Sequence, residues 1–209
     1  PNGLSVGVNY SGFIVDTAFA SGALDPAGLP AIYNAFLLVG LPIALLGQAI
    51  GQATFPRLSE KAEAGEWSEM RRILFRSLAG AIGLALPAVA ALLLLGRPTI
   101  RILFEHGEYS AAAGDLTYRV LVAYAVALPS YVATEVVTRG LIALRDTRTP
   151  LFTNSGQLIL RILLISLLLD RLGVVSIPVA FAISATLETL TLGAVLLSKL
   201  SGRLEVAQP

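Results

Sequence analysis

The chain is 209 residues long, with 55% hydrophobic residues, 14% charged residues and a formal net charge of +1. Soluble domains carry about 25% charged residues, so this composition points to lipid as the solvent and gives no basis for a nucleic-acid partner. With no cysteine and a single histidine, His106, the sequence excludes disulfides, thiolate chemistry and clustered Cys or His metal ligands.

A membrane-spanning helix needs about 20 mostly apolar residues, and helices satisfy their backbone groups segment by segment inside lipid. Six stretches meet that length, over about 4–22, 31–55, 75–96, 116–144, 151–170 and 174–199. The expected fold class is therefore an all-α polytopic membrane protein with six transmembrane helices. Residues 1–200 form one transmembrane unit and 201–209 a polar tail.

The chain opens on Pro1-Asn2-Gly3 with no basic–apolar–small leader, and reads as starting part-way along a longer protein. The first span carries Asn9 and, two turns later, Asp16 followed by Thr17. A carboxylate at membrane depth is a functional hypothesis by default. With Asn9 and Thr17 oxygens nearby, Asp16 is a candidate site for Na⁺ or a proton, coupling that ion to movement.

The second span holds Pro42 and a Gly47-x-x-x-Gly51 pair, which lets helices approach closely. After it comes a basic stretch, 57–74. In its second half Trp67, Met70, Ile73 and Leu74 fall on one face with arginine and glutamate opposite, the pattern of an amphipathic interfacial helix. The third span contains Pro87. The fourth contains Pro129 and the pair Glu135 and Arg139, spaced for a helical ion pair.

Arg161 lies halfway along the fifth span. It is a candidate either for an ion pair with Asp16 or Glu188 or for gripping an anionic headgroup such as a pyrophosphate. The sixth span begins near Pro178 and carries Glu188 between Thr186 and Thr189, whose hydroxyls are candidate partners for it. Prolines within spans kink helices, and a bundle of kinked helices suits rocking between two states.

Basic residues set the orientation. Arg57, Lys61, Arg71, Arg72, Arg76, Arg139, Arg145, Arg148, Lys199 and Arg203 lie in alternate loops and the tail. The intervening loops hold only Arg97, Arg101 and Arg171, with Arg119 just inside span four. The first set is therefore expected in the cytoplasm, together with both ends of the chain. The sequence offers no nucleophile–base pair, metal-ligand spacing or phosphate-binding glycine loop, so a transporter is expected rather than an enzyme.

Four segments carry a family resemblance: NYSGFIVDTAFAS over 9–21, LPIALLGQAIGQATFPRLSE over 41–60, PTIRILFEHG over 98–107 and ALRDTRTP over 143–150. In that order and spacing they resemble the MurJ/MviN lipid II flippases of bacteria, within the multidrug/oligosaccharidyl-lipid/polysaccharide exporter group. The resemblance implies helices seven to twelve, the C-terminal lobe of a MATE-like two-lobe transporter whose partner is an N-terminal lobe of the same protein. It also implies multi-pass residence in the bacterial inner membrane and export of lipid II by alternating access for cell wall synthesis. No bound cofactor is expected beyond a coupling Na⁺ or H⁺. Asp16 matches an aspartate that contributes to a sodium site in members of that family. Residues Arg145, Asp146, Thr147, Arg148, Thr149 and Pro150 match its cytoplasmic loop motif.

The chain also departs from the family's pattern. Leu37 stands where the family has an arginine facing the central cavity, Ile162 stands near an expected asparagine, and Glu188 replaces an asparagine. Arg161 and Glu188 are then the candidate cavity charges. The alternatives are export of another lipid-linked oligosaccharide or amphipathic small molecule, or a non-transporting membrane scaffold.

Overall fold

The computed structural model describes Gly12, residues 14–21 and residues 27–206. Helix α1 is described over 14–21. Helix α2 (Gly28–Pro42) runs through a π-helical turn (Ile43–Gln48) into α3 (Ala49–Glu63), and α4 (Trp67–Leu103) returns antiparallel to it. Next come α5 (Ala111–Ala143), α6 (Arg148–Leu172), a 3₁₀ turn (Gly173–Val175) and α7 (Ser176–Val206). The described residues are helical throughout apart from short connections.

Three of these rods are long and apolar enough to cross a membrane: 28–63, 67–103 and 111–143. Helices α6 and α7, at 25 and 31 residues, cover the fifth and sixth apolar stretches. At 1.5 Å per residue each exceeds the roughly 30 Å hydrocarbon core. Asn9 and most of the first apolar stretch lie outside the described residues.

Helix α5 is the axis of the bundle. Over half of its most apolar stretch is buried, against 11% for α4. Buried residues ring α5, from Leu116 and Val120 through Tyr124 and Leu128 to Val136 and Leu141, so it has no solvent stripe. Helix α4 instead turns Leu84, Leu86, Leu94 and Leu95 outward. An apolar face that size would drive aggregation in water, whereas lipid accepts it.

Two apolar clusters stack along the axis. One joins Ala31, Ala35, Val39, Val120, Tyr124, Ile165 and Ile177. The other joins Leu58, Met70, Leu74, Val136, Leu141, Leu192 and Leu196. Glycines set the closest approaches. A Cβ on Gly140 would fall 2.8 Å from Leu196 and 3.4 Å from Leu74, so α4, α5 and α7 cross at that point only because it has none. Between α5 and α7 a run of hydroxyls adds polar contacts: Ser130 with Thr186 at 3.0 Å, and Thr134 with Thr189 at 2.6 Å.

The 57–74 stretch is divided in two. Its first half ends α3, Gly65 makes the turn at φ +71°, and its second half forms the first two turns of α4. The apolar side of Trp67–Leu74 continues the buried stripe of α4 through Ala81 and Ala85, which is why no break separates interfacial from spanning helix. Proline placement also has a local cause. Pro42 removes one amide donor and leads directly into the π turn, while Pro178 sits in the first turn of α7, where a helix amide has no intrahelical partner anyway.

Candidate functional site

Arg161 is buried mid-way along α6, a helix with otherwise little buried surface. It reaches α1, where its Nη2 donates to Oδ2 of Asp16 in a close ion pair. Both side chains are more than nine-tenths buried. The Tyr124 hydroxyl of α5 donates to the same carboxylate oxygen at 3.4 Å. The guanidinium lies over the ring of Phe181 on α7, 4.7 Å from its centroid. Four helices therefore converge on one charge pair.

Aromatic rings enclose the pair. Tyr124 packs edge-on against Phe36 of α2 and against Phe181, each at 5.9 Å between centroids. Gly12 closes the remaining side, since a Cβ there would fall 3.1 Å from Nη1 of Arg161. The Phe36 and Phe181 rings supply bulk without competing for the hydrogen bond, and Phe181 adds cation–π attraction.

The pair is not saturated. Oδ1 of Asp16 and Nε of Arg161 are buried without a hydrogen-bond partner. Desolvating two charges offsets much of their attraction unless the remaining donors and acceptors are also satisfied. An incompletely bonded pair is therefore easier to separate than a saturated one. The arginine also neutralises the Asp16 carboxylate, so the closed pair carries no net charge.

The other candidate residues fall elsewhere. Glu188 is half-buried on α7, close enough to Glu135 and Tyr131 of α5 to interact electrostatically. Arg161 makes its ion pair with Asp16 rather than with Glu188. The flanking hydroxyls do not serve Glu188 either. Thr186 and Thr189 bond Ser130, Thr134 and backbone carbonyls, because helix neighbours one or two positions apart face different ways. Glu135 pairs with Arg139 at 3.5 Å, one turn along α5. Thr17 is half-buried beside Asp16 in α1.

The Arg145–Pro150 loop has a structural explanation. Arg145 adopts φ +61° to turn the chain. Asp146 then receives the amides of Arg148 and Thr149 on Oδ1, and the Thr149 hydroxyl and Lys199 ammonium on Oδ2. One carboxylate thus starts α6 and ties it to the end of α7. Burial alone would raise this carboxyl, but Lys199 and Thr149 outweigh it and hold it down at about 2.

Sequence reasoning did not single out Tyr124, Phe181 or Phe36. Tyr124 carried a usable signal, as a phenol deep inside an apolar span must find a partner for its hydroxyl.

Comparison with known proteins was decisive on kinship. The family model described as lipid II flippase MurJ matches residues 1–205. The chain belongs to the MurJ family. Among its relatives, a probable lipid II flippase MurJ of Rhizobium meliloti is 28% identical over 196 residues, covering 94% of this chain and 36% of that protein. The lipid II flippase MurJ of Burkholderia cenocepacia is 27% identical over 192 residues, covering 92% and 37%. The chain thus spans little more than a third of the length of these MurJ proteins.

Solved structures agree on the fold. A lipid II flippase MurJ in an inward closed conformation superposes with a TM-score of 0.81 at 21% identity, over 90% of this chain and 40% of that one. A MATE transporter in a bent conformation gives 0.78 at 19% identity, over 91% and 42%. The chain is a multi-pass membrane protein with the helical architecture shared by MurJ and MATE transporters.

Proposed function

We propose that this chain forms one lobe of a transporter that moves lipid II across the bacterial inner membrane by alternating access, supplying cell wall synthesis. The observation that carries the reading is the family match along nearly the whole chain. The other lobe of the same protein and the lipid-linked precursor are the partners it implies.

In this reading the Asp16–Arg161 pair is the switching element. While the pair is closed, Arg161 is occupied and the site is neutral. A proton or Na⁺ at Asp16 weakens the pair and frees a guanidinium, whose planar fork suits a pyrophosphate. The orphaned Oδ1 and Nε favour such a switch, because both gain partners when the pair opens. Leu37, exposed on α2 where the family resemblance expects an arginine, favours a second reading in which a different lipid-linked glycan is carried.

The test is to express the gene in a bacterium depleted of its own lipid II flippase and to measure lipid II exposed at the outer face. Restored exposure and growth are expected, with loss in Asp16→Asn and Arg161→Gln variants that still insert in the membrane. No exposed lipid II despite confirmed insertion would overturn the lipid II assignment.

A further inference from the structure

Where α3 leaves the membrane and α4 enters it, the two helices enclose an open cleft of about 520 Å³. That lies within the roughly 300–1,000 Å³ range of small-ligand sites. Its lining is basic, with Arg57, Lys61, Arg72 and Arg76 against Glu60 and Glu69. Glu69 is already held by Arg72 at 2.5 Å, and Lys61 is held from outside the lining by Glu66 at 2.8 Å. Among the described residues Arg57 and Arg76 have no carboxylate partner. The floor is mixed, with Ile73 and with Ser77, which meets the Thr54 hydroxyl at 3.2 Å.

Depth fixes what can enter. Trp67 sits at the base of α4, its ring under the Arg203 guanidinium at 4.6 Å, an arrangement suited to the headgroup layer. One turn above the cleft the surface becomes apolar. At the helical repeat, Arg72 and Arg76 share a face with Gly80, Gly83, Pro87 and Ala90, and all of them are exposed. Around Gly80 and Gly83 an added Cβ would meet nothing within 4 Å. This face is a low lane on an otherwise leucine-studded helix. From Gly80 to Ala90 it rises about 15 Å, the depth of one leaflet of a core about 30 Å thick.

We infer that this cleft binds the phosphate headgroup of an anionic glycerophospholipid from the leaflet that the basic loops mark as cytoplasmic, with an acyl chain lying in the lane above it. Free cations, an interfacial position and an apolar track continuous with the cleft each suit a lipid. A soluble anion would use only the first. The site lies on α3 and α4, apart from the Asp16–Arg161 pair on α1 and α6. Its occupant would brace the α3–α4 hairpin from the lipid side.

The experiment uses purified protein in neutral detergent, titrated with phosphatidylglycerol, phosphatidylcholine or inorganic phosphate, with bound lipid counted by native mass spectrometry and stability followed by thermal unfolding. Saturable binding and stabilisation by phosphatidylglycerol are expected, with neither from phosphatidylcholine. Arg76→Gln should weaken binding about fivefold, whereas Arg71→Gln, the same charge change outside the cleft, should leave it within about twofold. Gly83→Leu, which fills the lane at an open position, should also weaken it. Equal binding of the two lipids would overturn the proposal, as would equal effects of Arg71→Gln and Arg76→Gln. Stabilisation by inorganic phosphate matching that by phosphatidylglycerol would overturn it in favour of a soluble anion.

Discussion

Removing one member of the Asp16–Arg161 pair should be among the most damaging single changes in the bundle. Arg161→Gln leaves a carboxylate more than nine-tenths buried, with one 3.4 Å hydrogen bond from Tyr124 and a second oxygen that has none. Breaking a buried ion pair in this way costs about 3–5 kcal/mol. Asp16→Asn strands the guanidinium and should cost a similar amount, softened by the Phe181 ring, which is worth about 0.5–2 kcal/mol to a cation. The double variant leaves two neutral polar groups and should recover most of the loss. The resulting coupling, about 3 kcal/mol, stands well clear of ordinary interhelical hydrogen bonds in membranes, which average about 0.6 and reach about 1.7 kcal/mol. The assay is reversible unfolding in mixed lipid–detergent micelles followed by helicity, with all four proteins forming the cycle. Glu188→Gln, which does not touch the pair, serves as the additive control. Single losses under about 1 kcal/mol that simply add in the double would refute the placement of this pair at the centre of the site.

Two further outcomes follow from local geometry. Asp146 is held at about 2, below its ordinary 3.8, so its contribution is complete above about pH 4 and is lost as pH falls towards 2. Thermal unfolding should accordingly begin to weaken below about pH 4, and less so in Asp146→Asn, which has already lost the tether to Lys199. Gly140→Val should wedge α5 from Leu196 and Leu74 and cost about 1–3 kcal/mol, whereas Gly156→Ala, at an open position of α6, should be neutral or gain up to about 1 kcal/mol. Chemical denaturation of the two variants side by side checks the contrast.

The helical class was readable because lipid imposes one simple demand, about 20 apolar residues per crossing, and stretches such as 116–144 meet it openly. Helix ends were not: α4 begins at Trp67 and ends at Leu103, well outside 75–96. Pairing was not readable. Asp16 and Arg161 stand 145 positions apart, and hydropathy carries no signal for which intramembrane charges meet. Arg161 had two carboxylates within reach of a six-helix bundle, and only the packing of α1 against α6 decides between them. The continuity of the amphipathic start of α4 with its spanning part was hidden for a different reason. Arginines at 71, 72 and 76 lower local hydropathy even though they lie on the outward face and leave the buried stripe of Met70, Leu74 and Ala81 unbroken. The loop motif showed the reverse pattern: Arg145 to Pro150 was conspicuous in sequence, and the structure gives its aspartate a mainly architectural task.

The π turn at Ile43–Gln48 has a consequence for how this chain tolerates change in length. A π turn holds one more residue than the α-helical turn it replaces, so the rod from Gly28 to Glu63 already accommodates an insertion, placed just after Pro42. Removing one residue there would restore ordinary winding and leave Gly47, Gly51 and everything below still facing α5. The same deletion elsewhere in the rod would rotate its lower half by about 100° and turn Thr54 and Leu58 out of the bundle. Length variation among related chains should therefore collect at this turn, as a register adjuster between two halves of one helix.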